Sequence, residues 1–265
     1  MGIISKLLGR QKPPADKKQS DGIVSIPPGL SGPMIGLVRG IMMKPLPVTP
    51  ERLERLKKNA DDALRKSLEA FKPGSEITPS EIASSLLGSA GDAAVSHVIR
   101  LLGHNDRDVG RIAGDMCVSL GMQAVPELSR VLKAPGIDSR QDAAAAILRI
   151  AAAGNRSMPR EITVGLAQLI RQENLRYWDV IAIAAAALGE IGKDAMPDII
   201  ALLHDESYLV RLAGVAALTR MGDGTALSAL QQARRDETSF TVAEAIDYAI
   251  GMTKETAAKT GGISE

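Results

Sequence analysis

The chain has 265 residues, 45% of them hydrophobic, which is ample for a buried core. Aromatic residues make up only 2% while alanine is abundant, so helices can approach closely but few rings remain to stack on bases or flat cofactors. The single cysteine, Cys117, excludes an intrachain disulfide. The net charge of +1 hides a basic head (14 Lys and Arg against 7 Asp and Glu in residues 1–72) on an acidic body (18 against 24 in residues 73–265).

In chain order, residues 2–10 place Ile3, Ile4, Leu7 and Leu8 on one helical face, with Lys6 and Arg10 towards the other. The apolar start is short, and no small-residue cleavage site comes after it, so no secretory signal is read; with one cysteine this points to a cytoplasmic protein. Residues 12–20 (KPPADKKQS) read as a linker. Ile23–Val48 is apolar, contains Met34, Met42 and Met43, and is broken by Pro and Gly, so it forms no regular element and needs a surface to lie on. That surface is the first hairpin of the downstream helices, a partner protein, or anionic lipid reached by an amphipathic start beside Lys12, Lys17 and Lys18.

Residues 49–72 are predicted as one capping helix. Thr49 caps it, Pro50 suits its first turn, and Leu53, Leu56, Ala60, Leu64 and Phe71 form its apolar stripe. Thr78-Pro79-Ser80-Glu81 is a capping box opening the next helix. From there Gly91, Gly121, Gly154, Gly192, Gly222 and Gly251 recur about every 30 residues. Pro126, Pro159 and Pro197 each stand five residues after a glycine, and Val109, Val180 and Val210 each stand twelve before one. Such a period marks stacked helical hairpins, each too small to bury its apolar face alone. The first helices are predicted at 79–89, 107–120, 139–152, 177–190, 207–220 and 238–250, and the second at 92–102, 124–133, 160–172, 195–203 and 225–235. The fold class is therefore all-α: an α-α superhelix of five to six hairpins over 73–253, preceded by an irregular arm (1–48) and capping helix (49–72), and ending in a flexible tail (254–265).

Ala186 to Ile199 (AALGEIGKDAMPDI) carries paired Leu-Gly and Ile-Gly steps and then Ala-Met-Pro. His204 to Arg211 adds an aspartate-led turn and Val-Arg. Asn105 to Val109 with Ala124-Val125-Pro126 repeats the theme, although Gly110 replaces the arginine, and the unit at 139–172 keeps little beyond Gly154 and Pro159. Together these resemble the short HEAT-like repeat of the phycobilisome lyase family over residues 79–250. That family hosts lyases, adaptors and assembly factors, so what the resemblance implies is chiefly a fold. It also implies that the second helices line the concave face.

On that face the outward pairs are expected to be His97/Arg100, Glu127/Arg130, Arg160/Thr163, Asp198/Ala201 and Ser228/Gln231. Their mixed sign argues against a nucleic-acid partner, whose groove would be dominated by Lys and Arg. Trp178 and Tyr208 hold equivalent places on adjacent hairpins, shared by Arg107 and Arg140, and could anchor a partner. His97, His104 and His204 stand at no metal-ligand spacing, and there is no Gly-rich phosphate loop, Gly-x-Ser-x-Gly elbow or Cys–His pairing, so no catalytic, cofactor or metal residue is expected. Cys117 lies in an apolar run and is expected to be a buried, inert thiol. The expected function is a non-catalytic protein–protein interaction scaffold, an accessory or assembly subunit of a larger complex, whose partner meets the ridge and the arm (Ile3, Leu7, Met34, Met42, Met43). The alternatives are a lyase-like or chaperone-like factor acting on a cofactor-bearing protein, implied by the resemblance alone, and a peripheral membrane adaptor contacting lipid through residues 1–48.

Overall fold

The computed structural model describes residues 45–72, 76–173 and 175–259. The first described segment runs extended to Thr49, whose hydroxyl accepts from Arg52 N–H and caps α1 (Pro50–Asn59). A short break separates α1 from the next helix. Ala60 is extended, and Asp61 starts α2 (Asp62–Glu69) by accepting the Leu64 N–H. Thr78 and Glu81 then form the reciprocal capping box of α3 (Pro79–Ala90). A single antiparallel bridge between Val48 and Ile77 ties the entries to α1 and α3 together.

Hairpins come in succession: α3 with α4 (Ala94–Ile99), α5 (Arg107–Leu120) with α6 (Val125–Val131), α7 (Ile137–Ala152) with α8 (Arg160–Gln172), α9 (Trp178–Ile191) with α10 (Met196–Leu203), and α11 (Tyr208–Met221) with α12 (Gly224–Asp236). The last helix is α13 (Phe240–Lys259). Among the described residues there is no strand beyond the one bridge. Glycine ends the first helices because the chain must turn through a left-handed conformation there: Gly121 has φ 58° and Gly192 φ 79°, and each leads into a 3-10 turn. Pro126 and Pro197 then occupy the first turn of α6 and α10, where a missing N–H costs least.

Each first helix packs on the next (α3, α5, α7, α9, α11, α13), and the second helices α4, α6, α8 and α10 pack in a parallel row. The result is an α-α solenoid with one continuous core. The period-marking valines Val109, Val180 and Val210 are all buried in it. At the N-terminal end α2 packs on α3 and α4, while α1 reaches past them onto α5.

Charged and amide side chains tie the hairpins internally (Arg140–Glu173 and Arg211–Glu237) and to one another (Gln141–Asp179, Arg171–Asp205 and Arg220–Glu190). Arg140 donates to Glu173 (2.5 Å), Gln141 to Asp179 (3.1 Å), Arg171 to Asp205 (3.0 Å), Arg211 to Glu237 (2.8 Å) and Arg220 to Glu190 (2.8 Å). Arg149 pairs with the buried Asp115. Arg211, from the Val-Arg pair, also donates to the carbonyls of Asp205 and Glu206, so one guanidinium holds both the turn before its own helix and the end of its own hairpin.

Three sequence expectations are corrected. The helix predicted over 49–72 is two helices, because Asp61 caps the second. Gly251 ends no helix: it lies inside α13, and it is absent from the positive-φ glycines, which are Gly91, Gly103, Gly121, Gly154, Gly192 and Gly222. The tail expected to be loose from residue 254 is helical to Lys259, where helix-forming residues continue and Thr253 is buried.

Candidate protein-binding surface

The row of second helices was the expected binding ridge, and its N-terminal part is closed by the chain itself. His97 Nδ1 lies 2.6 Å from Asp61 Oδ2, and Arg100 donates to the same oxygen at 3.1 Å. Burial pushes the Asp61 carboxyl up, but the His97 and Leu64 N–H bonds and the Arg100 charge together outweigh it and hold its pKa below the usual carboxylate range. The cap of α2 is thus the counterion of α4.

Further along, Arg130 is exposed and pairs with Glu127 one turn back. Arg160 is exposed too, but its guanidinium reaches Thr163 Oγ1 (3.2 Å) and Asp198 of the next second helix. Asp198 and Thr163 were expected to face outward; both are buried, at 8% and 0% exposure. The reason is the neighbouring hairpin: the second helices lie close enough that these positions fall in the seam, where Arg160 satisfies both. Ala201, Ser228 and Gln231 are exposed, and Ser228 Oγ donates to Gly224 O.

The aromatic edge is arranged differently. Trp178, Tyr208 and Phe240 are the first residues of α9, α11 and α13. Trp178 is half-buried against the core, whereas Tyr208 is 46% and Phe240 82% exposed. Spacing does not find Phe240, because Gly251, the glycine from which it would be counted, does not end its helix. Of the exposed large hydrophobic side chains among the described residues, Ile200, Tyr208 and Phe240 fall within 200–240, and Met122 is the one elsewhere. The arm residues Ile3, Leu7, Met34, Met42 and Met43 lie outside the described residues.

Two clefts are lined by described residues. One, of about 540 Å³, lies where Glu190 takes ion pairs from both Arg156 and Arg220. The other, of about 580 Å³, separates α5 from α7 and is bounded by Arg107, Arg111, Asp115, Asp142 and Arg149 among others. Asp142 accepts the Gly103 N–H at 2.8 Å. Burial raises its pKa, that bond lowers it, and the Asp138 charge raises it again, leaving it above the usual carboxylate range. Burial, with Asp142 adding a little, pushes the nearby Cys117 thiol up to about 12, which leaves it a poor nucleophile. No cluster of three or more His, Cys, Asp or Glu among the described residues is arranged to hold a metal ion. No described helix is long and apolar enough to cross a membrane.

Residues 165–251 match the family model for HEAT repeats. That segment is similar to HEAT repeats. No curated protein sequence matches it. Similar solved structures include an engineered protein from a structural genomics consortium, at 17% identity, 85% coverage of this chain, 98% of that one and a TM-score of 0.40. A computationally designed armadillo repeat protein for modular peptide recognition is similar at 20% identity, 77% and 98% coverage and a TM-score of 0.37. A second designed armadillo repeat protein is similar at 16% identity, 83% and 99% coverage and a TM-score of 0.36.

The sequence reading missed Asp61, Asp115, Asp142 and Arg149. A usable signal was present: opposite charges one repeat apart, as in Asp115 with Arg149 and Arg171 with Asp205, each separated by 34 positions.

Proposed function

We propose that this protein is a non-catalytic scaffold, an accessory or assembly subunit that holds a protein partner along its C-terminal repeats, α9 to α13. A solenoid offers extended surface, and proteins built this way generally use it to bind other proteins. One observation carries the reading for this chain. In a sequence with very few aromatics, Tyr208 and Phe240 stand exposed with Ile200 between residues 200 and 240, the kind of large side chain that anchors an interface. Gln231, exposed on α12, supplies a polar contact within the same repeats. His97, Arg100, Arg160 and Asp198 contribute to the scaffold's own rigidity, since each is held by an internal pair.

The test is quantitative co-purification of the full chain from its native cells. Replacing Tyr208 and Phe240 by Ala is expected to reduce recovery of the partner at least tenfold with the helical spectrum unchanged, while Met122→Ala leaves recovery unaltered. Equal recovery from all three proteins would refute the assignment. A recovered partner that carries a chromophore would move the reading to the chaperone-like or lyase-like alternative. Recovery only with membranes, lost when residues 1–44 are removed, would favour the membrane adaptor.

A further inference from the structure

The seam between α5 and α7 breaks the repeat's own pattern with charge. Val109, Val180 and Val210 each stand twelve residues before a glycine of positive φ, and twelve before Gly154 stands Asp142. Asp115 holds the place that Ala186 and Ala216 fill in α9 and α11, and Arg149 the place of Ala187 and Ala217. Burying a carboxyl or a guanidinium costs free energy that valine and alanine do not, so packing alone does not account for these residues. Gly110 stands where the later Val-Arg pair has Arg211, and Asp142 Oδ2 lies 3.0 Å from where a Cβ on Gly110 would be. The departures from the pattern therefore meet, and they meet at the cleft of about 580 Å³.

Each wall of the cleft is one face of a helix. On α5 the lining residues Arg107, Gly110, Arg111 and Gly114 follow the three-four spacing of a single stripe, and on α7 Asp138, Gln141, Asp142 and Ala145 do the same. One wall is basic and the other acidic, with open space beside Gly114. Arg107, Arg111 and Asp138 are exposed, and among the described residues none of the three makes an ion pair or a side-chain hydrogen bond. Asp142 accepts the Gly103 N–H at 2.8 Å, which leaves acceptor capacity on its carboxyl. Asp138 and Asp142 repel each other, part of what holds the Asp142 pKa above the usual carboxylate range, and a cation between them relieves this. The other charges of the cleft are engaged, Arg149 with Asp115 and Asp179 with Gln141.

Register sets the form of the occupant. Arg107 and Arg140 each stand fourteen residues before their glycine, so α5 and α7, successive first helices running the same way, are level at these two positions. Asp138 then lies two residues nearer the N-terminal end than Arg107, and Asp142 falls midway between Arg107 and Arg111. Along the cleft the order is Asp138, Arg107, Asp142, Arg111, and each step is two helical residues, about 3 Å. Extended chain advances about 3.3 Å per residue and sends successive side chains to opposite sides. We propose that the cleft between α5 and α7 binds an extended segment of a partner protein in which basic and acidic residues alternate. Its bases face Asp138 and Asp142, and its acids face Arg107 and Arg111. Grouped charges of one sign would set some side chains against the wall of like charge. The site lies on the first-helix side and stands independently of the anchors Tyr208 and Phe240.

Fluorescence anisotropy on the full chain provides the test. The probe is a labelled Lys-Glu-Lys-Glu-Lys-Glu peptide, and the control is Lys-Lys-Lys-Glu-Glu-Glu, of the same composition. Saturable binding of the alternating peptide is expected, at least tenfold tighter than that of the block peptide. Arg107→Ala combined with Arg111→Ala leaves the fold's own ion pairs intact and is expected to weaken binding at least tenfold with the helical spectrum unchanged. Lys254→Ala, on α13, is expected to leave it unaltered. Asp138→Asn, on the opposite wall, is expected to weaken binding at least threefold, and it decides the matter should the double variant lose helix. Absence of saturable binding, equal affinity for the two peptides, or an affinity indifferent to the substitutions on either wall would each overturn the proposal.

Discussion

Two seams of the solenoid are built from the same kind of residue and behave in opposite ways. Between α9 and α11 small residues bring helices together: the alanines of α9 are buried on nearly every side, and Gly189 lies so close to Ala217 that a methyl group would collide with backbone. Between α5 and α7 there is room beside Gly114, while Gly110 lies against Asp142 and the Arg149–Asp115 pair spans the seam. Small side chains permit close approach but do not enforce it. What differs is where the charges lie: the Glu190–Arg220 pair sits at the C-terminal ends of α9 and α11, beyond the alanine-rich stretch, whereas the Arg149–Asp115 pair spans the α5–α7 seam itself.

The largest test of this contrast is Arg149→Ala. It leaves Asp115 buried with the Leu46 N–H as its remaining bond partner outside its own helix, and loss of one member of a buried pair costs about 3–5 kcal/mol. Urea unfolding measures it, and a loss below about 1 kcal/mol would mean that charge does not hold the α5–α7 seam. Next in size is a matched pair of glycine substitutions. Gly189→Ala is expected to destabilise by about 1–3 kcal/mol through overpacking. Gly88→Ala on α3, where a Cβ meets nothing, is expected to stabilise by about 0.5–1 kcal/mol. The same sign for both would contradict the close approach of α9 and α11 at Gly189.

Smaller effects concern titration. Asp61→Ala removes a helix cap and should cost about 1 kcal/mol at neutral pH. The Asp61 pKa is held down in the fold, so its contribution is complete above the ordinary carboxylate value, about 4, and disappears as pH falls through the lower folded value. The gap between variant and wild-type stability should therefore narrow below pH about 4. Asp142 has the opposite sign. Its pKa is raised, so the associated stability is complete below the ordinary carboxylate value and is lost as pH rises through the folded value. Asp142→Asn keeps an acceptor for the Gly103 N–H and should gain Tm relative to wild type as pH rises from about 4 to about 7. A difference that is independent of pH would contradict this account of the cleft wall.

The hairpins were legible in the sequence because their punctuation is local. Gly121 and Gly192 must take a positive φ, Pro126 and Pro197 must stand in a first turn, and each requirement is visible within a few residues. What was hidden depends on neighbours one repeat away. Asp198 reads as a surface acid until Arg160 of the preceding hairpin is placed against it. Asp61 reads as the middle of a helix until His97 and Arg100 are seen to gather on it. Gly251 shows the limit of punctuation: a glycine ends a helix only where the chain must turn, and α13 continues through it. The candidate site was half legible. Trp178 and Tyr208 could be aligned by their distance to a glycine, but Phe240 could not, and exposure rather than spacing marks it.

The most direct measurement places a photoreactive amino acid at position 240, and separately at position 122, in the full chain within its native cells. The scaffold reading predicts that a protein partner is captured from position 240 at least ten times more efficiently than from position 122. Equal capture from the two positions, or capture from position 122 alone, would contradict it.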